Sequence, residues 1–600
     1  MRRRAYDVPC GARVQEFRKS FTPPNWSGET MRRLLAGLAG AAALLAAALP
    51  VAAASPGRMT GPLINDVTCD RVAYAPGATA NCIVWLANAT GDSFSGTVSL
   101  SVWSGHGVQV GSTQTQNMAR LANSTSSSLS YVITLPNLNW RGYLLSISAS
   151  NTVPAIVDTA SGALDVSTDW VKFPRYGWVS NLTKTANAAA TIGMLSAYGL
   201  NAYQFYDVNF KHHVPVSDMP CWPNLANIST CDATIQEFLA AIHAAGGTGF
   251  LYQLWNGAYP NFLTDGSGVR LSWGLFTSNC AQTAVGCQLV NLNATPANSV
   301  LLNSFCHTNP GATGYGQTCH GTTPTNLFPA TWAAQSLLEM APTNAGWRNY
   351  IIKATTAVLR RDPFDGIQWD TLGDPTAGGS VPQYDSAGRS IDIGQALVPF
   401  VNVSRIEFGA RHAVLNAVSG WREIDIALHA ETDVMFEEIH PEFGDTPYYP
   451  SLNGKTAVLR QLTSRPAVVP AYMEQKAALL PGCHTVGGPR TCYFADPGIR
   501  YIDSQMMASG LDHFELGDLN TICPQPQPKM ASNIYLPGPM LCMSSALAEW
   551  LVDAHNFEIA YENMLRYGAA DTNETASIVS GATASSFGAA GAVYLMPKTR

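Results

Sequence analysis

The feature that most constrains the fold is a series of eight short apolar segments that begins near residue 170 and alternates with stretches of helical periodicity. Strands that alternate with helices form parallel sheets, and eight such units close into a (β/α)8 TIM barrel. The candidate strands are 175–180, 202–208, 249–255, 366–373, 414–420, 433–439, 467–473 and 511–518. The candidate helices include TIQEFLAAIHAAG, NAGWRNYIIKATTAVLRR and SALAEWLVDAHNFEIAYENMLR. The pattern predicts a (β/α)8 barrel over residues 168–570.

A long stretch at about 260–335 interrupts this alternation. It is rich in Asn, Thr, Gly and Cys and has weak periodicity. Loops of this length in compact domains usually carry function. We therefore expect a disulfide-stapled excursion between the third and fourth strands.

Residues 60–167 have a different pattern. Apolar and polar positions alternate in short runs that are broken by Gly, Asn, Pro and Ser. About seven short strands over about a hundred residues are typical of an immunoglobulin-like β-sandwich. No group of acids or histidines in this region points to catalysis, so we expect it to pack or to position a ligand.

The two ends of the chain carry further signals. Arg32 and Arg33 precede an Ala-rich apolar run that ends in small residues at 52–54, as in a secretory signal peptide over 31–54. The alternative is a lone transmembrane anchor, for which the run is short and weak, so we expect no stable membrane insertion. We expect Met31 to be the true start and 1–30 to be a mis-called upstream extension. We also expect 571–600 to be the start of a truncated C-terminal β domain, the alternative being a short packed hairpin.

Cysteine spacing agrees with export. Of thirteen cysteines, all but Cys10 lie beyond the predicted signal peptide. An even number with local spacing predicts loop-stapling disulfides in a secreted, extracellular protein. Nearest-neighbour pairing would join Cys69 to Cys82, Cys221 to Cys231, Cys280 to Cys287, Cys306 to Cys319, Cys483 to Cys492 and Cys523 to Cys542. The alternative is a zinc site, but no CxxC occurs and we expect no metal.

Composition narrows the ligand class. Charged residues make up 13% of the chain, the net charge is -7, and there are 14 Trp and 22 Tyr. Such a chain offers no basic surface for nucleic acid and suits uncharged polar ligands such as sugars. It has no GxSxG elbow, P-loop, HExxH motif or dinucleotide glycine fingerprint, so we expect no organic cofactor.

Acidic residues end two of the candidate strands. FDGIQWDTLGD places Asp370 at the end of the fourth strand, and DVMFEEIHPE places Glu437 and Glu438 at the end of the sixth. Two carboxyl groups at neighbouring strand ends are what a retaining glycosidase needs. Strand alternation puts Phe436 and Glu438 on one face and Glu437 on the other, which favours Glu438 unless a bulge intervenes.

Other polar and aromatic residues fall at the same strand ends. Asp207 is predicted to contact the substrate, the alternative being a buried structural acid. Trp255 is predicted to stack on a sugar ring, the alternative being a core residue. The adjacent His212 and His213 cannot face the same way in an extended loop, so they do not predict a metal site. Glu515 is balanced between ligand contact and structural anchoring. The candidate substrate-binding residues are Tyr206, Asp207, Lys211, His212, Tyr252, Trp255, Asn256, Gln368, Asn416 and Glu515; Asp518 is as evenly balanced as Glu515, and Glu562 is expected to be structural.

Several segments, in order, resemble glycoside hydrolase family 66, the dextranases and cycloisomaltooligosaccharide glucanotransferases. They are FPRYGWVSNL, NAYQFYDVNFKHHVPV, GFLYQLWNGAYPNF, FDGIQWDTLGD, DVMFEEIHP, LDHFELGD and NFEIAYENMLR. The resemblance implies an immunoglobulin-like domain, a (β/α)8 barrel and a β domain, with Asp370 as nucleophile and Glu438 as acid/base. His440 stands where the family would have an aromatic residue, and the Cys-rich excursion also departs from it.

The resemblance implies a secreted retaining endo-glycosidase. It would hydrolyse the α-1,6 linkages of dextran and isomaltooligosaccharides through a covalent glucosyl-enzyme intermediate. The first alternative is a cycloisomaltooligosaccharide glucanotransferase; the cyclising relatives carry an inserted carbohydrate-binding module, and its absence here favours hydrolysis. The second is a non-catalytic glucan-binding protein, against which the retained Asp370 and Glu438 argue. The oligomeric state is left open.

Overall fold

The computed structural model describes most of the chain beyond residue 60. The described residues are 61–151, 156–276, 337–371, 373–374, 384–439, 459, 462–463, 465–472, 492–521, 523–531, 541–566, 570–571 and 598–599. The predicted signal peptide, most of the Cys-rich excursion and most of the C-terminal segment lie outside this set. Within it, no helix combines the length and apolar character needed to cross a bilayer.

The N-terminal region consists of two antiparallel sheets around one core. Its strands are β1 (Ile64–Cys69), β2 (Thr79–Ala87), β3 (Phe94–Ser104), β4 (Gln109–Leu121), β5 (Ser126–Thr134), β6 (Arg141–Asn151) and β7 (Ile156–Val166). One sheet has the order β1-β2-β5 and the other β4-β3-β6-β7. Alternate residues of both sheets, such as Val84 and Leu145, are fully buried in a common apolar cluster. This alternation is the period-2 pattern that the sequence shows.

The second region alternates strands with helices. Its strands are β8 (Tyr176–Val179), β9 (Ala202–Phe205), β10 (Cys221–Pro223), β11 (Ser229–Cys231), β12 (Thr248–Leu254), β13 (Gly257–Ala258), β14 (Leu338–Glu339), β15 (Gly366–Asp370), β16 (His412–Leu415), β17 (Met435–Phe436), β18 (Ala467–Val469), β19 (Asp512–His513), β20 (Leu516–Asn520) and β21 (Gln527–Met530). Its helices are α1 (Ala188–Ala197), α2 (Asp232–Ala244), α3 (Ala345–Arg361), α4 (Leu397–Phe408), α5 (Glu423–His429), α6 (Asp496–Ala508), α7 (Ser545–Ala560) and α8 (Glu562–Leu565). Short 3-10 helices occur at Trp170–Lys172, Pro260–Leu263, Leu271–Trp273, Ile393–Ala396 and Val418–Gly420. A final strand pair joins β22 (Ala570–Asp571) to β23 (Lys598–Thr599).

Each of the eight predicted strand positions holds a strand, and the pairings between them are parallel. One sheet has the order β16-β15-β12-β9-β8-β20-β21 and another the order β17-β18-β19. A parallel bridge from Asn416 to Phe436 links β16 to the start of the second sheet. The eighth predicted strand is broken at Phe514–Glu515 into β19 and β20, and β20 pairs back with β8. The pairings therefore follow the chain order and return to the first strand.

The return of β20 to β8 depends on a glycine. Gly517 lies opposite Trp178, and a Cβ atom at Gly517 would stand 2.0 Å from Trp178 Cδ2. A larger residue there would push the two strands apart, so glycine is needed for this pairing.

The two faces of these strands bury different sets of residues. Tyr176, Phe250, Phe436 and Phe514 belong to an aromatic cluster on the face away from the helices, which we call the inner face. The Tyr176 ring lies 5.3 Å from Phe250 and 5.9 Å from Phe436, although these residues come from strands that are not neighbours. Residues of opposite parity, such as Trp369, pack against the helices on the outer face.

Three of the predicted disulfides are present. Cys69 is bonded to Cys82, Cys221 to Cys231 and Cys523 to Cys542. Cys492 is also in a disulfide, while its predicted partner and the pairs at 280/287 and 306/319 lie outside the described residues. The nearest-neighbour prediction is confirmed for the three pairs that are described, and disulfides fit an oxidising compartment.

Candidate active site

The two predicted acids lie beside one asparagine. Asn416, which follows β16, donates from Nδ2 to Asp370 Oδ1 at 2.8 Å and to Glu438 Oε2 at 2.7 Å. Because both bonds end on one nitrogen, these two oxygens can be no further apart than the sum of the distances, about 5.5 Å. Asn416 Oδ1 accepts from the Glu438 backbone N–H at 3.3 Å, which fixes the orientation of the amide.

Each carboxyl group also faces a tyrosine. Tyr252 on β12 donates to Asp370 Oδ2 at 2.6 Å, and Tyr472 donates to Glu438 Oε1 at 2.6 Å. The Thr371 backbone N–H donates to Asp370 Oδ1 at 2.9 Å. An amide N–H can only donate, so Asp370 Oδ1 and Glu438 Oε2 must accept. Any proton that the pair holds therefore sits on the oxygens that face the tyrosines.

Electrostatics couples the two acids. Burial and the neighbouring Glu438 together raise the pKa of Asp370 to about 7, although hydrogen bonds from Tyr252 and Asn416 oppose the rise. Two carboxylates this close resist ionising together, so the pair retains one proton near neutral pH. Both side chains are half-buried rather than sealed, so a ligand can reach them.

The strand register separates Glu438 from Glu437. Phe436 pairs with Val468, and Ile439 bridges Ala471 three residues later on both strands, so no extra residue intervenes. Phe436 belongs to the inner aromatic cluster and Glu438 shares its parity. Glu437 has the opposite parity and is fully buried. His440, the predicted departure from the family, lies outside the described residues.

The loop after β9 carries an acid and two histidines. Asp207 has a positive φ of 53°, which is uncommon for a non-glycine residue. His212 Nε2 lies 3.5 Å from Asp207 Oδ1, and His212 Nδ1 lies 2.9 Å from Gln253 Oε1. Burial lowers the pKa of His212, but Asp207, Gln253 and Asp370 together outweigh it, so the net shift is upward. Both groups are buried beside Tyr252.

Lys211 and His213, on either side of His212, contact a different acid, Asp265. Lys211 Nζ donates to Asp265 Oδ2 at 2.9 Å, and His213 Nε2 lies 2.8 Å from the same oxygen. His213 Nδ1 accepts from the Tyr259 backbone N–H, so the ring is neutral with its proton on Nε2. Burial lowers the pKa of His213 to about 4, consistent with this tautomer. Lys211 thus joins the loop after β9 to Asp265.

Four other predicted ligand residues line or back this region. The Tyr206 and Tyr252 rings lie 4.8 Å apart on the inner face. Gln368 and Asn256 are buried, and the described residues offer no hydrogen-bond partner to Gln368 Oε1 or Asn256 Oδ1. The Trp255 ring is fully buried against Phe400 and Trp421 on the outer face, which favours the core alternative.

Glu515 is placed away from the two acids. Phe514 occupies the inner face, so Glu515 points to the outer face, where it meets His513 and His555. This placement favours a structural role over the predicted substrate contact. Asp518 accepts from Ser180 Oγ at 2.5 Å, and Glu562 lies 3.5 Å from Arg175, so both anchor neighbouring elements.

Tyr472 is the contact that sequence reasoning missed. It lies on the seventh predicted strand, where no acid drew attention to the segment. The signal was present in the alternation of AVVPAYM, because Val468 belongs to the inner aromatic cluster and Tyr472 has the same parity.

A family model matches most of the chain. Residues 69–600 match the family model described as Glycosyl hydrolase family 66. The chain belongs to this family.

The chain is similar to proteins of two kinds, glucanotransferases and a dextranase. The chain is 25% identical over 394 residues to a cycloisomaltooligosaccharide glucanotransferase of Niallia circulans, an alignment that covers 63% of this chain and 35% of that protein. It is 22% identical over 474 residues to a dextranase of Streptococcus salivarius, with 73% and 52% covered. The chain thus spans about a third to a half of the length of these relatives.

A solved structure shares the fold. The crystal structure of a Paenibacillus sp. cycloisomaltooligosaccharide glucanotransferase complexed with cycloisomaltoheptaose has a TM-score of 0.66 and 19% identity. The match covers 85% of this chain and 83% of that one. Likeness at this identity shows a common multidomain, multi-sheet fold.

Proposed function

We propose that this chain is a secreted retaining endo-glycosidase that hydrolyses α-1,6 linkages of dextran. Asp370 attacks the anomeric carbon while Glu438 gives its proton to the departing glycosidic oxygen, which forms a glucosyl ester and frees the chain on the leaving side. Glu438 then takes a proton from water, whose oxygen displaces Asp370 and restores the original anomeric configuration. The surrounding architecture is the predicted (β/α)8 barrel behind an immunoglobulin-like domain.

The observation that carries the proposal is the amide shared by the two acids. A limit of about 5.5 Å between the oxygens bonded to Asn416 leaves no room for a water to attack directly, as an inverting enzyme would require. A retaining enzyme has carboxyl groups at about this separation.

The single proton of the pair is the one that Glu438 would give to the leaving oxygen. Catalysis needs Asp370 ionised and Glu438 protonated. Asp370 has three donors, from Tyr252, Asn416 and Thr371, which favour its ionised form. With one proton shared by the pair, these donors favour the state in which Glu438 holds it, next to the leaving oxygen.

Substrate contacts are proposed at the strand ends around the pair. Tyr206 and Tyr252 offer aromatic surface, while Asp207 and His212 offer acceptor and donor atoms that the described residues leave without strong partners. The unpartnered amide oxygens of Gln368 and Asn256 suit sugar hydroxyl donors. Trp255 and Glu515 are left out of this set because of their burial on the outer face.

The test is mass spectrometry of the products formed from dextran. Linear isomaltooligosaccharides would support hydrolysis. Ring products, lighter by one water, would make the chain a cyclising glucanotransferase, the activity named for the relatives from Niallia circulans and Paenibacillus sp.. No product from a folded sample that binds dextran would favour the non-catalytic glucan-binding alternative.

A further inference from the structure

A second group of carboxylates and histidines lies on the outer face, where the eighth strand meets two helices. Asp503 comes from α6, His513 from β19, Glu515 from the break before β20, and His555 from α7. We call these four residues the His–carboxylate cluster. Asp503 and Glu515 are 5% and 2% exposed, so neither acid can rely on water.

The cluster has more acceptors than donors. Asp503 Oδ2 and both oxygens of Glu515 have no hydrogen-bond partner among the described residues. His555 uses Nδ1 to donate to the Tyr198 carbonyl at 2.7 Å, which leaves a lone pair on Nε2 at 3.8 Å from Glu515 Oε1. Buried acceptors that face one another in this way indicate a missing cation or proton.

Both histidines are oriented as metal ligands usually are. A ligating imidazole binds the metal through one nitrogen and donates from the other to a carbonyl or carboxylate, which fixes the ring. His513 Nε2 lies 3.1 Å from the Ala471 carbonyl, and His555 Nδ1 lies 2.7 Å from the Tyr198 carbonyl. In each case the remaining nitrogen faces the acids.

The spacing suits a small divalent ion. Ligand atoms of Asp503, His513 and Glu515 lie within 4.8 Å of one another. Two ligands of a tetrahedral zinc ion are about 3.4 Å apart, given bonds of about 2.0–2.2 Å. His513 Nδ1 and Glu515 Oε2 are 3.4 Å apart. His555 Nε2 faces the other oxygen, Glu515 Oε1, at 3.8 Å and lies outside the group of three, so it completes the set once the ion draws these side chains together.

We propose that Asp503, His513, Glu515 and His555 bind one first-row divalent metal ion of the zinc class. Two imidazole nitrogens and two carboxylate oxygens form a ligand set that zinc accepts. The ion joins the eighth strand to α6 and α7, on the opposite face from Asp370 and Glu438, so its role is structural. A closed set of four protein ligands is the usual form of such a site.

The charges balance when the ion enters. Ligation takes Asp503 and Glu515 as carboxylates and both histidines as neutral imidazoles. The two positive charges of the ion therefore meet two negative charges. The 2.6 Å contact between His513 Nδ1 and Asp503 Oδ1 is short for two ligands, and it widens as their shared proton leaves.

The test uses the full chain, stripped with a chelator and then dialysed against a slight excess of Zn²⁺. Elemental analysis should find about one zinc per chain, and the melting temperature should rise by about 3 °C or more. Glu515→Gln keeps the shape but removes a charged ligand, and it should lose both effects. His243→Gln is the matched control, because His243 pairs with Asp365 at a half-exposed site and should retain both.

Cobalt provides a test that needs no variant. Co²⁺ bound in place of zinc should give the intense visible bands of a tetrahedral site. Equal zinc in the wild type and Glu515→Gln, no zinc in either, or a cobalt spectrum like that of the hydrated ion would overturn the proposal. The cluster would then be a proton-linked network alone.

Discussion

Two carboxylate pairs lie on opposite sides of the parallel strands, and they differ in what surrounds them. The inner pair, Asp370 and Glu438, is half-buried, and each acid has a donor at both oxygens. The outer pair, Asp503 and Glu515, is buried and has three oxygens without a donor.

The surroundings of the inner pair suit a catalytic role, and those of the outer pair suit a structural role. Donors around the inner pair stabilise charge while leaving the acids open to a ligand, which suits groups that exchange a proton and attack a sugar. The outer pair is surrounded by acceptors and needs a positive charge to stabilise it. The substrate cannot supply that charge, because helices cover the outer pair. Pairing of acids alone therefore does not identify an active site.

The largest effect should come from removing the nucleophile of the inner pair. Asp370→Asn keeps the size of the side chain but cannot form the ester, so kcat/KM for dextran should fall by about 10⁴-fold or more. Dextran binding should persist in an affinity gel. Turnover within tenfold of the wild type would remove Asp370 from the mechanism.

The next largest effect should distinguish Glu438, on the inner face, from its neighbour Glu437, on the outer face. Glu438→Gln removes the proposed acid/base and should lower kcat/KM by about 10²- to 10⁴-fold. Glu437→Gln, fully buried on the outer face, is the matched control and should stay within about threefold. If Glu437→Gln shows the large loss and Glu438→Gln does not, the assignment is reversed.

A smaller effect should separate the two tyrosines. Tyr252→Phe removes a donor to Asp370, which disfavours its ionised form, so the acid limb of the kcat/KM profile should move to higher pH. Tyr472→Phe removes a donor to Glu438, so the alkaline limb should move to higher pH instead. Each change should lower the maximal rate by about 10-fold.

The exposed Tyr493→Phe is the control for both substitutions and should leave the profile unchanged. Two variants that move the same limb would show that the tyrosines do not act on separate acids.

The smallest effect concerns stability. The pKa of Asp370 is raised from 3.8 to about 7, so the folded state resists ionisation that the unfolded chain undergoes. Stability is therefore lost as pH rises from about 4 to about 7. Asp370→Asn removes this penalty and should melt about 2–4 °C above the wild type at pH 7 but not at pH 4. Equal melting differences at both values would contradict the coupling.

Much of the molecule could be predicted from local patterns. The eight strand positions, the two antiparallel sheets and three disulfides all follow from periodicity or short spacing. Convergence of strand ends on one edge of a parallel sheet marks Asp370 and Glu438 as candidates, and the structure brings the two side chains to one asparagine. Glu438 was preferred over Glu437 by alternation, and the regular register keeps that argument intact.

What escaped prediction depends on which face a side chain takes. Glu515 alternates with Phe514, and the sequence alone did not indicate which of the two would take the inner face. Trp255 lies just past the end of β12. A difference of one residue in strand position there decides whether its ring faces the site or the core. The His–carboxylate cluster draws Asp503 and His555 from two helices 52 residues apart in sequence, so it has no motif spacing.

The most direct test of the central claim is to trap the intermediate. Glu438→Gln, incubated with an α-isomaltosyl fluoride whose leaving group needs no acid, should accumulate the glycosyl-enzyme because the second step lacks its base. Peptide mass spectrometry should then place the added sugar on Asp370. An adduct on another residue, or turnover to a product of inverted configuration with no adduct, would contradict the account.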